Sequence, residues 1–311
     1  MAVVPGRSSR PWFADQHQTV MEKLEQYTQI IKRNYPELEV ISARFNQDGQ
    51  YNDVVIINDS QVFRFARVPE AVKTLRQEVA VQKSLQGRLP LRIPEPVYVQ
   101  VENENLGEAF MGYPMISGEP LWRERFQSIA SQDVRKRMAI QLAEFLRKLH
   151  QFNVAEIPTP LRRYETRDEW VDLYSRIQNH LFPHIREDAR RDVKQHFNHY
   201  LSQPDRYRFT SCLRHGDFGT GNIIYDPESL WITGIVDFGG IGLGDPAVDF
   251  AGLYISYGKA FYEDCCTEYP QMHAALERVH FYCGTFALQE ALFGVENEDE
   301  TAFHAGIKDY L

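Results

Sequence analysis

The sequence predicts an α+β fold of two lobes, a small antiparallel-sheet lobe followed by a larger, mainly helical one. Three observations predict it. Short runs of alternating apolar and polar residues crowd the stretch 40–66, with turn residues between them. A single helical period then appears at 71–85 among further extended segments. From Ser131 onward the apolar spacing is helical over most of the remaining chain.

In order along the 311 residues, Asp15 to Asn34 reads as an amphipathic helix, with Val20, Leu24, Tyr27, Ile30 and Ile31 along one side. Val40–Phe45, Asp53–Asn58 and Gln61–Ala66 read as strands, the last two joined by a tight turn at Asn58, Asp59 and Ser60. Ala71–Leu85 is helical through Val72, Leu75, Val79 and Leu85, and Ile93–Val101 and Ala109–Ile116 are two more strands. After a short hinge at Ser117–Pro120, Ser131 caps a long helix carrying Met138, Leu142, Phe145, Leu146 and Leu149 on one face. Helices follow at Trp170–Leu181 and Asp188–Leu201, a strand at Leu230–Val236, and then mainly helix to Leu311.

Composition narrows the function. A formal net charge of -9 points away from a nucleic-acid binder, whose affinity rests on clustered cations that displace counterions. It suits a neutral or cationic ligand better. The four cysteines, Cys212, Cys265, Cys266 and Cys283, show neither metal-site nor disulfide spacing and are expected to be small core residues in a reducing compartment. The opening MAVVPGRSSRPW has no apolar run of signal-peptide length, and no later segment approaches the roughly 20 apolar residues of a membrane span. A cytoplasmic protein without a membrane partner is expected, and a monomer.

The chemistry concentrates in HGDFGTGNIIYDPESLWITGIVDFGG, residues 215–240. His215-Gly216-Asp217 is followed by Asn222, then a hairpin-like insert, then Asp237-Phe238-Gly239. Phosphoryl transfer needs this division of labour. One carboxylate orients the acceptor hydroxyl and takes its proton, while an amide and a second carboxylate hold the magnesium that neutralises the phosphates. The spacing therefore assigns Asp217 as catalytic base and Asn222 and Asp237 as metal ligands.

With these motifs the chain resembles the aminoglycoside phosphotransferase family of kinase-like small-molecule phosphotransferases, nearest the 2''-phosphotransferases. The likeness also rests on VFRFAR at 62–67, LRQEVAVQKSL at 75–85, FMGYPMISGEPL at 110–121, LAEFLRKLH at 142–150 and GDPAVDF at 244–250. It implies a bilobal protein-kinase-like fold, with residues 1–116 as nucleotide-binding lobe and 117–311 as catalytic and acceptor-binding lobe. It further implies that Arg64 meets the nucleotide phosphates and pairs with Glu78. The loop FNQDGQYND, with Gly49, would cover the phosphates, and Tyr113 to Ile116 would offer backbone groups to the base, Ile116 being the better donor because Pro114 has no N–H. The resemblance further implies ATP or GTP with Mg2+ as donor and a small, hydroxyl-bearing, neutral or cationic acceptor.

Other acids carry structural alternatives. Asp245 and Asp249 are read as helix caps or as acceptors for the catalytic loop's backbone at least as readily as substrate ligands, and His215 as a loop-bonding residue. The run Glu296, Glu298, Asp299 and Glu300 is a solvated face or a means of steering a polycation. In AGLYISYGKAFYED, residues 251–264, Tyr254, Ser256, Tyr257 and Lys259 come before Glu263 and Asp264, where the double-prime relatives carry acids early. That departure leaves open a macrolide, choline, homoserine or thioribose as acceptor, or a nucleotide-binding pseudokinase.

Overall fold

The computed structural model describes residues 12–46, 52–103 and 105–311, with side chains from residue 20 onward. Its contacts divide the chain into two compact units. One holds the residues up to Val79 together with Pro94–Met115, the other Ala80–Ile93 together with Ile116–Leu311. Residues 80–93, expected in the first lobe, therefore pack with the second unit.

In the first half of the chain, α1 (Trp12–Asn34) precedes β1 (Ala43–Asn46), β2 (Asn52–Ile57), β3 (Gln61–Ala66), α2 (Pro69–Leu85), β4 (Tyr98–Gln100) and β5 (Phe110–Pro114), all in the first unit except the end of α2 from Ala80 on. The five strands form one antiparallel sheet in the order β1-β2-β3-β5-β4. Asn58 and Asp59 both adopt left-handed backbone (φ 54° and 49°), as a two-residue hairpin turn that follows strand twist requires. The fourth strand is much shorter than its apolar run, because Pro94 and Pro96 cannot donate to a ladder.

Strand alternation decides what each sheet face does. Phe63 and Phe65 of β3 pack with Tyr27, Ile30 and Ile31 of α1, where the Tyr27 and Phe65 rings stack at 4.1 Å. The alternate residues, Val62 and Arg64, turn to the other face. There Val62 packs with Leu75 and Val79 of α2, Met111 and Tyr113. Arg64 belongs to that α2 face by the same period.

The second unit contains β6 (Glu119–Pro120), α3 (Arg123–Ser128), α4 (Gln132–His150), α5 (Arg167–His180), α6 (Glu187–Leu201), β7 (Cys212–Arg214), β8 (Ile223–Asp226), β9 (Trp231–Ile235) and β10 (Gly242–Gly244). It ends in α7 (Ala247–Glu268), α8 (Gln271–Ala274), α9 (Leu276–Glu296) and α10 (Glu300–Ile307). Ser131 caps α4 by accepting from Val134 N–H at 3.3 Å. Thr166 and Glu169 form a capping box that starts α5 slightly ahead of the apolar pattern. Met138, Leu142, Phe145, Leu146 and Leu149 of α4 are fully buried and form the centre of the core with α7 and α9. Strands β6, β8 and β9 make one small sheet and β7 with β10 another. The short β6, β7, β10 and α3 lack the length to show a period, and the sequence pattern passes over them. No helix among the described residues is long and apolar enough to cross a membrane.

Candidate active site

The loop after β7 is built around Asp217. Asn222 Nδ2 donates to both the backbone oxygen and the Oδ2 of Asp217, each at 2.9 Å. Val236 N–H donates to Asn222 O at 2.9 Å, and the β8–β9 hairpin pairs Ile223 with Ile235. The insert between the two motifs is thus a hairpin whose open end brings Asn222 and Asp237 to adjoining positions. Asp237 itself is left-handed (φ 59°, ψ 73°) and accepts from Gly239 N–H at 3.3 Å.

The floor of the loop is held by α4 and α7. Asp249, fully buried in the first turn of α7, accepts from His215 N–H (Oδ2, 2.8 Å) and Gly216 N–H (Oδ1, 2.7 Å). His150 Nε2 lies 3.0 Å from Asp249 Oδ2, and His150 Nδ1 lies 3.3 Å from the Tyr269 hydroxyl. Burial alone would raise the Asp249 pKa, but the His150 hydrogen bond, the electrostatic pull of the two imidazoles and the Gly216 N–H outweigh it and hold it below the ordinary value. His215 Nε2 donates to Val236 O at 3.1 Å, and its Nδ1 accepts from Asp217 N–H at 3.3 Å. His215 and Asp249 are therefore loop-bonding residues.

Asp217 touches solvent. Even so, the protein packed around its carboxyl raises its pKa from the usual value, with the Asp237 charge adding to the effect and the Asn222 N–H opposing it. A carboxylate so placed can accept a hydrogen bond from an alcohol and take its proton. Asn222 spends its nitrogen on Asp217, so its amide oxygen is the atom that could face a metal. With the Asp237 carboxylate it makes a hard oxygen pair that fits Mg2+, a cation that takes one or two protein oxygens and completes its shell with phosphate and water. Among the described residues no group of three or more His, Cys, Asp or Glu is arranged to hold a metal.

Asp245 Oδ1 caps α7 at Ala247 N–H (3.0 Å), while its carboxylate receives Arg278 Nε (2.6 Å) and the Tyr282 hydroxyl (2.8 Å). Glu296 is paired with Arg176, and Asp299 caps α10 through Ala302 N–H, so two of the four C-terminal acids have structural work. Helix α7 breaks at Gly258 (φ 84°). Arg123 covers the carbonyls of Ile255 and Ser256 at that break, and the Tyr257 hydroxyl donates to Leu121 O at 2.9 Å. Lys259 pairs with Glu263 at 3.6 Å.

In the first unit, Arg64 Nη1 meets Glu78 Oε1 at 2.6 Å, with Arg64 nearly and Glu78 fully buried. Glu78 stands off the polar face suggested by Gln77 and Lys83. The Tyr113 ring is buried against α2, so only its backbone can serve a ligand, and Met115 N–H is engaged by Ser60 O at 2.8 Å. The Ile116 side chain lies over Gly234 of β9. Gly49 falls outside the described residues. Cys265 and Cys266 are buried as expected, whereas Cys212 and Cys283 are only half-buried, and all four are free thiols. Glu165, Arg214 and Arg278 were not singled out from sequence, and His150 entered only as the end of the LAEFLRKLH motif, with no role. They lie far from one another along the chain and share no local motif.

Against known proteins, the model of the phosphotransferase enzyme family matches residues 42–282. A viomycin phosphotransferase of Streptomyces vinaceus is 26% identical over 294 residues, covering 93% of this chain and 100% of that one. The GDP and kanamycin complex of APH(2'')-IIIa superposes with a TM-score of 0.83 at 24% identity, covering 91% of this chain and 96% of that chain. Macrolide 2'-phosphotransferase type I superposes with a TM-score of 0.68 at 18% identity over 100% of this chain and 99% of that one. The two structural likenesses speak to the fold, which is kinase-like, while the family match spans both units and the whole Asp217–Asn222–Asp237 constellation. The chain belongs to the phosphotransferase enzyme family.

Proposed function

We propose that the protein transfers the γ-phosphoryl group of ATP or GTP to a hydroxyl of an aminoglycoside or a similar small molecule. The observation that carries this reading is the bond from Asn222 Nδ2 to Asp217 Oδ2, in a loop whose next strands return Asp237 to the same place. Asp217 orients the acceptor hydroxyl and takes its proton. Asn222 and Asp237 hold Mg2+, which when bound neutralises charge on the phosphates. In the first unit, Arg64, fixed by Glu78, contacts the nucleotide phosphates as a fork of donors. The backbone at Tyr113 and Ile116 and the loop at Gly49 serve the base and the phosphates. A pseudokinase reading has less support, because a binding module has no need of base and both metal ligands together.

One relative phosphorylates viomycin by name, and a structural neighbour binds kanamycin. Viomycin is the second acceptor reading. It draws support from the relative matched along its whole length and from the exposed Lys259–Glu263 pair on α7, which offsets one of the acids there. A monomer working in the cytoplasm, where nucleoside triphosphates are made, completes the proposal.

The test is a nucleotide-turnover screen with ATP and with GTP against aminoglycosides including kanamycin, viomycin, macrolides and small amino alcohols. Turnover on an aminoglycoside, abolished in Asp217→Asn while nucleotide still binds, supports the first reading. Turnover on viomycin alone supports the second, and no turnover with any acceptor overturns both.

A further inference from the structure

Arg214 ends β7 immediately before the His215-Gly216-Asp217 turn, and it is 3% exposed. A buried guanidinium persists only where its donors are satisfied. Here Nη2 and Nε reach Glu165 Oε1 (2.8 Å) and Oε2 (3.3 Å), and Nη1 donates to Gly240 O at 2.5 Å. The flat face of the guanidinium lies 3.9 Å from the centre of the Tyr164 ring. Glu165 is itself buried, and its Oε2 also accepts from Asp245 N–H at 3.1 Å.

Two features mark this pair as built rather than incidental. Glu165 sits in left-handed backbone (φ 58°), a conformation a glutamate holds only where its surroundings impose it. Two glycines also clear the space the pair fills. A Cβ on Gly216 would lie 1.7 Å from Arg214 Nη1, and one on Gly244 would lie 1.8 Å from Glu165 Oε2.

The placement gives the pair its consequence. Arg214 stands three residues before Asp217, and Gly240, whose carbonyl it holds, stands three residues after Asp237. One guanidinium therefore ties the entry of the base-bearing turn to the exit of the metal-bearing turn, and Glu165 fixes that guanidinium from a third segment. We propose that Glu165 and Arg214 are positioning residues that set the place of Asp237 relative to Asp217, and thereby the affinity for Mg2+ with nucleotide. A buried ion pair adds little net stability over apolar residues of similar size, so stability alone does not account for it. The inference rests on the phosphotransferase reading above.

The experiment is thermal denaturation of the full chain, titrated with Mg2+ at saturating non-hydrolysable ATP or GTP analogue, which needs no acceptor. The variants are Glu165→Gln, Arg214→Lys and the double apolar variant Glu165→Leu with Arg214→Met. The half-saturating Mg2+ concentration is expected to rise about tenfold in each single variant. It should stay raised in the double variant even as the ligand-free Tm returns toward wild type. Unchanged Mg2+ dependence in the single variants overturns the proposal, and so does recovery of Tm and Mg2+ dependence together in the double variant. Should the single variants fail to fold, the double variant decides by the same criterion. If the wild type itself shows no Mg2+- and nucleotide-dependent shift, this inference and the phosphotransferase reading both fall; a wild-type response matched by the variants sinks this one alone.

Discussion

His150, the last residue of α4, and Asp249, in the first turn of α7, meet at 3.0 Å directly beneath the backbone of the loop that carries Asp217. The same Asp249 carboxylate accepts the N–H groups of His215 and Gly216, so the end of α4 and the start of α7 meet at one buried anion.

Asp249→Asn puts an amide nitrogen against backbone donors and removes the partner of His150. The expected loss is about 3 kcal/mol of stability, together with reduced turnover because the loop loses its anchor. The pH course follows from the sign of the shift. With its folded pKa held below the usual 3.8, Asp249 stabilises fully above that value, and the contribution fades as pH falls through the lower, folded pKa. Urea midpoints from pH 7 down to pH 3 should show a constant gap between wild type and variant that closes only at the acid end.

Gly252→Ala tests how tightly the loop that carries Asp217 rests on α7. An added Cβ would lie 2.4 Å from Phe218 O, the residue after Asp217, and backbone cannot yield as a side-chain tip can. Overpacking of this kind costs about 1–3 kcal/mol, and displacement of the loop should lower kcat more than it alters the nucleotide KM. Steady-state kinetics beside a melting curve separate the two effects.

Arg64→Met leaves the fully buried Glu78 without its cation. A drop of about 3 kcal/mol is expected. Arg64→Lys retains the charge and loses the fork, so it should keep most of the stability while weakening nucleotide binding. Calorimetric titration with nucleotide distinguishes the two variants.

Asp245 depends on Arg278 and Tyr282 in the interior of the second unit. Arg278→Met should cost about 3–5 kcal/mol by stranding the Asp245 charge, and Tyr282→Phe about 1 kcal/mol by removing one hydrogen bond. Chemical denaturation of both variants checks the ranking; a larger loss for Tyr282→Phe would contradict it.

Local sequence was sufficient wherever the physics is local. The Asn58-Asp59 turn, the Ser131 cap, the apolar face of α4 and the spacing of Asp217, Asn222 and Asp237 all depend on residues within a few positions of one another. Arg64 came from the family resemblance, and a period of two decides which face of β3 it joins. Tertiary structure decided the rest. The prolines that shorten β4 act through ladder pairing, and β7 and β10 exist only because each finds the other. The anchors of the loop that carries Asp217 come from positions 150, 165, 214 and 249, which no single short motif unites. Their roles follow from burial, since a charge removed from water must find its partner in space, wherever in the chain that partner lies.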